Sequence, residues 1–345
     1  MISVHKAMMD CAQQLLSQDI NPVIRYKLLK DVVGLSTDTP QMKALKEEVL
    51  ASPLVSELDD EQLYDGSWGR FNSIDYTVKK KFPTTCIAVE RALYIGLNNE
   101  DTILFNALEY IRDVFHKKVR VPDRGEVNER WPAFSQYRIA YFLELLQPYS
   151  EDVDQVWHTW LYIVQRAFSE GFYDHEKNQK AQREVFGITG KRLILLPFNF
   201  LLLRRNDIPD RLQHAMLDYC WERHLKNGYF WPEAKLHQLP ESFYYNKTHR
   251  WFSSLEFFIT FKGNSRYLQG PIEWVINGRS EDGLWDFGPQ IKDPFGYYRY
   301  LSTEGWKKRQ NRVIDCTVEI LVILKKYLDS NQEQKAHHFT DQQSE

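Results

Sequence analysis

The sequence predicts an all-α fold of about six helical hairpins whose first and last helices close a ring. Three observations carry that prediction. First, a glycine followed by an aromatic recurs as DGSW at 65–68, EGFY at 170–173, NGYFW at 227–231 and DGLW at 282–285. The glycines stand at 66, 171, 228 and 283, so the first gap is about twice the others. That leaves an expected beat near residue 118, where HKKVRVPDRG is polar and lacks the aromatic. Periods of this size signal a repeat architecture. Second, the apolar residues between beats follow helical spacing, and no sustained two-residue alternation of a strand survives. Third, the most apolar helices start near 22, 84, 133, 187, 249 and 311, a nearly even march.

The elements follow in chain order. A first helix, roughly 3–18, has no sequence partner. NPVIRYKLLKDVVGL (21–35) and TPQMKALKEEVLASPLVSELDDEQ (39–62) form the first pair. TTCIAVERALYIGL (84–97) is apolar around much of its circumference and precedes the more amphipathic DTILFNALEYIRDVF (101–115). SQYRIAYFLELL (135–146) is followed in the same way by EDVDQVWHTWLYIVQRAF (151–168). A fourth inner helix is expected from FGITGKRLILL, with PDRLQHAMLDYCWERHL (209–225) as its outer partner. HRWFSSLEFFITF (249–261) precedes NSRYLQGPIEWVING (264–278), and NRVIDCTVEILVILKKYL (311–328) has no follower. Helices apolar nearly all round are buried on more than one side. Pairing the last helix with the first removes the need for capping repeats. The expectation is therefore one domain over 1–329, with residues 1–20 closing the ring. Residues 330–345, reading NQEQKAHHFTDQQSE from 331, carry no apolar pattern and are expected to be a disordered tail.

Composition narrows the function classes. At 345 residues the chain can bury a substantial core; 43% of it is hydrophobic and a high 14% is aromatic. The formal net charge is −3 and no Lys/Arg block dominates, which argues against nucleic acid as a partner. Cys11, Cys86, Cys220 and Cys316 are scattered without metal-type spacing, as in a reducing, cytoplasmic compartment. MISVHKAMMD lacks the apolar core of a signal peptide. LILLPFNFLLL (193–203) is too short for a membrane span and is interrupted by Pro197 and Asn199.

At Gln62, Gly66 and Trp68 the chain spells Q-x3-G-x-W, which resembles the repeat of the squalene cyclases, where a Gln and a Trp clasp successive helix pairs. Q-x5-G-x-Y at 165–173 and N-x5-G-x-W at 277–285 look like degenerate copies. The run DGSWGRF…FPTTCIAVERALYIGLNNED is also similar to a repeat of protein prenyltransferase β subunits. Both groups share the (α/α)6 toroid, so the resemblance, over about 20–328, implies that fold; it says less about activity.

What the resemblance implies about chemistry is only partly present. Class II terpene cyclases protonate their substrate with the middle Asp of DxDD, and no DxDD exists here. The nearest string, DVDQ (152–155), begins an outer helix, where Asp serves caps and the dipole. LDDEQLYD (58–65) is not a DDxxD. In protein prenyltransferases a zinc held by Asp, Cys and His activates a thiolate. Asp315 and Cys316 lie in the corresponding region, but no His sits beside them and FGITGKRLILL lacks the second pair. No metal or other cofactor is therefore expected. Asp315 is the preferred acid if the protein cyclises by protonation, because it stands at an inner-helix start.

The inner-helix starts also carry Arg130 and Trp131, Tyr137 and Arg138, Lys247, His249, Arg250 and Trp251, and Arg309 and Arg312. Cations around an aromatic-walled funnel would suit an anionic head group with an apolar tail. The competing reading has these cations solvating helix ends and the aromatics filling the core. Arg250 and Arg312 are the expected head-group contacts, with Trp131, Tyr137 and Trp251 as wall; Arg130, Arg138 and His249 complete the candidate substrate-binding set. His175 and His237 read as surface loop histidines. KDPFGYYRYLSTEGW (292–306), with Tyr297, Tyr298 and Tyr300, reads as a lid or as rim packing. The expected function is a terpene cyclase- or prenyltransferase-like protein binding an apolar isoprenoid in a central cavity. The alternatives are a non-catalytic toroid that binds a lipid or a protein, and a polysaccharide lyase, for which no acid pair is evident.

Overall fold

A computed structural model describes residues 2–124, 132–187, 196–222, 235–243, 248–289, 303 and 306–341, without the side chains of 2–3, 132–134, 249–250 and 332–341. The protein is all-α: 65% of it is helical and no strand occurs among the described residues. No described helix is long and apolar enough to cross a membrane. Contacts group the chain into two compact units, Met1–Ser52 with Cys220–Glu345, and Pro53–Tyr219.

The first unit opens with α1 (Ile2–Leu16) and α2 (Pro22–Lys27). Asn21 caps α2 by accepting from the Val23 N–H, and Pro22 occupies the first turn, where its missing N–H has no penalty. The helix continues as a π-helical stretch, Leu28–Val33, and stops at Gly34, whose φ of 82° few other residues adopt. Then come α3 (Pro40–Leu50), α12 (Thr248–Thr260), α13 (Ser265–Asn277) and α14 (Arg309–Asp341). Here α1 packs against α14 and the π-helical stretch, α2 against α3, and α12 and α13 against each other and α14. The first and last helices thus lie together, as the sequence pairing expected. The last helix runs on to Asp341, into the stretch expected to be a disordered tail.

The second unit holds α4 (Pro53–Glu61), α5 (Thr85–Tyr94), α6 (Thr102–Phe115), α7 (Pro132–Leu146), α8 (Asp154–Ala167), α9 (His175–Phe186), α10 (Phe198–Leu201) and α11 (Asp210–Glu222), whose last residues lie past the boundary. Neighbours in the chain from α4 to α9 pack pairwise, and α10 lies on α7 and α8. Apolar stripes explain the order: α6 buries Ile103, Leu104, Ala107, Leu108, Ile111 and Val114 on one side. Inside this unit the buried Arg204 makes a bidentate pair with Glu144 (2.8 and 2.7 Å) and reaches Asp154 at 2.5 Å.

Two expected elements differ. The helix expected over 39–62 is two, α3 and α4, because Pro53 cannot supply an N–H to a continuing ladder and starts a new helix instead. The expected inner-helix start near 187 falls on a helix end: Gly187, at φ 60°, closes α9 through its N–H to the Arg183 carbonyl. Residues 188–195 lie outside the described set. His175 begins α9 rather than lying in a loop, and its ring faces the Tyr173 hydroxyl (3.2 Å) and the Gln179 amide (3.0 Å). His237 is exposed in a short turn, against Trp221.

Two of the Gly–aromatic beats, DGSW and DGLW, form a shared turn. In the second unit, Leu63 N–H donates to the Ser67 carbonyl (2.7 Å), Gly66 N–H to Leu63 (2.9 Å), and Trp68 Nε1–H to Leu58 (3.0 Å). In the first unit, Ser280 N–H donates to Leu284 (2.9 Å), Gly283 N–H to Ser280 (2.9 Å), and Trp285 Nε1–H to Val275 (2.7 Å). The backbone N–H of Trp68 finds the Thr85 hydroxyl at the start of the following helix; that of Trp285 finds Thr317 on α14. Gly66, Gly171 and Gly283 have φ of 85°, 88° and 81°. Gln62 adds a clasp of its own, its Nε2 donating to the carbonyls of Gly66 and Ile103, both at 2.9 Å. The echo at 228 lies outside the described residues.

Candidate functional site

The residues proposed to carry chemistry gather at the start of α14, in the first unit. Arg312, Asp315 and Cys316 share its first turns, and the DGLWDFG turn lies against them. Arg312 grips Asp286 with two bonds, Nε to Oδ1 at 2.6 Å and a terminal nitrogen to Oδ2 at 3.0 Å, while Arg309 lies 3.4 Å from Oδ2. Burial works to raise the Asp286 pKa. The Arg312 hydrogen bond, the Gly288 N–H and the two guanidinium charges outweigh it, and the net shift is downward. Asp286 is thus held as a carboxylate, and Arg312 is occupied by it.

Asp315 is fully buried, with 0% of its surface accessible. Its Oδ2 accepts the Thr303 N–H at 3.0 Å and the Trp306 Nε1–H at 2.9 Å, and Oδ1 meets the Thr303 hydroxyl at 2.5 Å. Cys316 accepts the Phe287 N–H at 3.4 Å, and burial pushes its thiol well above the usual value. A thiol in that state is neither nucleophile nor ready metal ligand. Among the described residues no three His, Cys, Asp or Glu side chains are grouped to hold a metal.

Trp251 is buried on α12; its Nε1–H donates to the Leu236 carbonyl at 3.1 Å and its ring meets Trp274 edge-on. Phe243 stacks between Trp274 and Phe287, and Phe252 joins them, so this side of the unit is filled with rings.

In the second unit, Tyr137 is buried edge-on against Trp160 at 5.4 Å, and burial pushes its hydroxyl up to about 12. The next residue, Arg138, lies over the Phe142 ring at 5.5 Å. Burial disfavours its charge, but Cys86, Glu90 and the neighbouring tyrosines raise its pKa overall. Burial in turn raises Glu90. Arg130, Trp131 and Lys247 lie outside the described residues, as do the side chains of His249 and Arg250 and the lid tyrosines 297, 298 and 300. Of the candidate set, then, Asp315 and Arg312 come together, and Tyr137 and Arg138 are adjacent in the other unit.

Sequence reasoning did not single out Asp286, Glu90, or the Lys27–Glu319 and Lys326–Glu256 pairs. Asp286 follows the Trp of the DGLW beat directly, a position that signals a capping acid. Glu90 and Lys27 interrupt otherwise apolar helical stretches, which is the available signal for a buried charge. Lys27, on α2, lies 3.9 Å from Glu319 of α14, and burial lowers its pKa. Nearby, Lys326 pairs with Glu256 at 3.2 Å.

No family profile, curated protein or solved structure matches the chain. The functional case therefore rests on these side chains.

Proposed function

We propose that the chain is a non-catalytic binding protein on the α/α-toroid scaffold, one that holds an apolar isoprenoid-type molecule without converting it. The scaffold half is supported by the paired Gly–Trp turns and by the packing of α1 on α14. The absence of turnover is supported above all by Asp315, whose carboxylate has no accessible surface and is held by Thr303 and Trp306. A proton donor must touch its substrate. Asp315, with no accessible surface, instead ties the chain ahead of α14 to that helix.

Denaturing extraction of the purified protein, followed by mass spectrometry, is expected to release an isoprenoid of unchanged mass. Incubation with prenyl diphosphates and squalene is expected to give no product. Product formation lost in Asp315→Asn would reinstate the cyclase, and absence of any isoprenoid in the extract would remove the cargo.

A second reading, an enzyme of the cyclase or prenyltransferase kind, is favoured by the charges kept inside apolar helices: Lys27 paired with Glu319, and the buried Arg138 and Glu90, whose charges influence each other. Buried ion pairs contribute little net stability, and perturbed groups cluster at functional sites. This enzyme would form product from the same panel and lose it in Lys27→Met or Glu90→Gln.

A further inference from the structure

Outside the sites above, the second unit contains a cavity of about 300 Å³ between the end of α6 and the first turns of α7. Its walls are Val114, Phe115, Val121 and Ile139, with Lys117 and Arg120 at the polar side. Such a volume is at the small end for ligand sites.

Lys117 is the unusual member. It has φ 60°, and its N–H donates to Val114 (3.0 Å) while Lys118 N–H donates to Asp113 (2.9 Å). The preceding helix, α5, ends with the same two bonds: Gly96 N–H to Leu93 (3.1 Å) and Leu97 N–H to Ala92 (3.0 Å), with φ 95° at Gly96. Glycine takes this left-handed position without strain; a lysine does not. The same lysine falls one residue from the expected beat near 118 that lacks its glycine. Neighbouring charges are engaged, Lys118 with Asp113 at 2.7 Å and Arg112 with Asp152 at 3.5 Å. Lys117 has no ion-pair partner among the described residues. A cation at a helix C-terminus gains from the dipole, but an unstrained glycine would suit the turn better.

We propose that this cavity binds an anionic amphiphile, with its carboxylate on Lys117 and a short aliphatic chain against Val114, Phe115, Val121 and Ile139. The chemistry fits because Val114, Phe115, Val121 and Ile139 make an apolar wall and Lys117 brings a cation to its edge. The proposal does not depend on the isoprenoid cargo.

Sodium octanoate and octan-1-ol are the probes, titrated by calorimetry into the full-length protein and into Lys117→Gly. Octanoate is expected to bind saturably, about tenfold more tightly than octanol. In Lys117→Gly that preference should vanish while the unfolding midpoint in urea rises, because the strain is relieved. Lys117→Met, which keeps the strain and loses the charge, should lose the preference without the gain in stability. No saturable octanoate binding to the wild type, equal affinity for octanol, or undiminished octanoate binding by Lys117→Gly would each overturn the proposal.

Discussion

Gly66→Ala should be among the most damaging single-methyl changes in the second unit. An added Cβ would lie 2.2 Å from the Asn106 carbonyl oxygen and 2.6 Å from its carbon, both backbone atoms, where 3.4 Å is ordinary contact. Backbone atoms held in α6 cannot step aside, so the turn itself must retract. Retraction breaks the two Gln62 bonds, to Gly66 and to Ile103, each with a net contribution of about 1 kcal/mol. The left-handed backbone adds roughly 1–2 kcal/mol for any residue with a Cβ. The sum is about 3–4 kcal/mol, without any further loss of Trp68 packing. Gly171→Ala is the matched control in the same unit. Its φ is 88°, but its Cβ would meet only the tip of Arg211 at 3.6 Å, leaving the roughly 1–2 kcal/mol backbone term. Urea unfolding followed by tryptophan fluorescence compares the two variants. If both alanines destabilise equally within about 0.5 kcal/mol, close approach to Asn106 is not what requires glycine at 66.

Other expectations follow from the same contacts. Trp285→Phe and Trp68→Phe each leave a carbonyl, Val275 or Leu58, without its indole donor; each should lose about 1–3 kcal/mol by urea unfolding, and a neutral result would deny the clasp. Asp286→Asn breaks a buried pair with Arg312 and should lose about 3–5 kcal/mol at pH 7. Because the folded pKa of Asp286 lies below its unfolded value of about 3.9, its contribution is complete above that pH and disappears as pH falls through the folded pKa. Unfolding at pH 7 and near pH 3 should therefore show the gap between wild type and Asp286→Asn closing in acid; a constant gap would be contrary evidence. Glu144→Ala strands Arg204 and should lose about 3–5 kcal/mol, with Glu144→Gln losing less in the same assay.

Much of the helical layout is legible from apolar spacing and caps. Thr84, Asn21 and Thr39 each precede their helices as hydroxyl or amide acceptors, and five of the six inner-helix starts coincide with helix starts. Pro53 was legible too, and outranks the continuous stripe that runs across it. The fourth inner helix, expected from near 187, falls on residues outside the described set, beyond the end of α9 at Gly187. At the candidate site the types and positions of Asp315 and Arg312 could be read, but not their partners. Whether a carboxylate faces a cavity or a ladder of donors depends on Thr303 and Trp306, brought to it by a connection whose path no periodicity encodes. Lys117 posed a third kind of difficulty: the missing beat was visible, whereas the strain of filling it with lysine is a property of φ alone.

The division of the chain into units has a bearing on synthesis. Pro53–Tyr219 is one continuous stretch, so all its internal contacts are available once it has left the ribosome. Met1–Ser52 belongs with Cys220–Glu345 and must wait for it, because α1 packs on α14 at the far end of the chain. At about 5–20 residues per second, emergence of 220–345 takes on the order of ten seconds. During that interval Met8, Ala12 and Leu15, buried in the finished protein, lack their final covering. Residues of α1 are made before Pro53–Tyr219 yet enclosed after it, and they are where a nascent-chain chaperone would find exposed apolar surface.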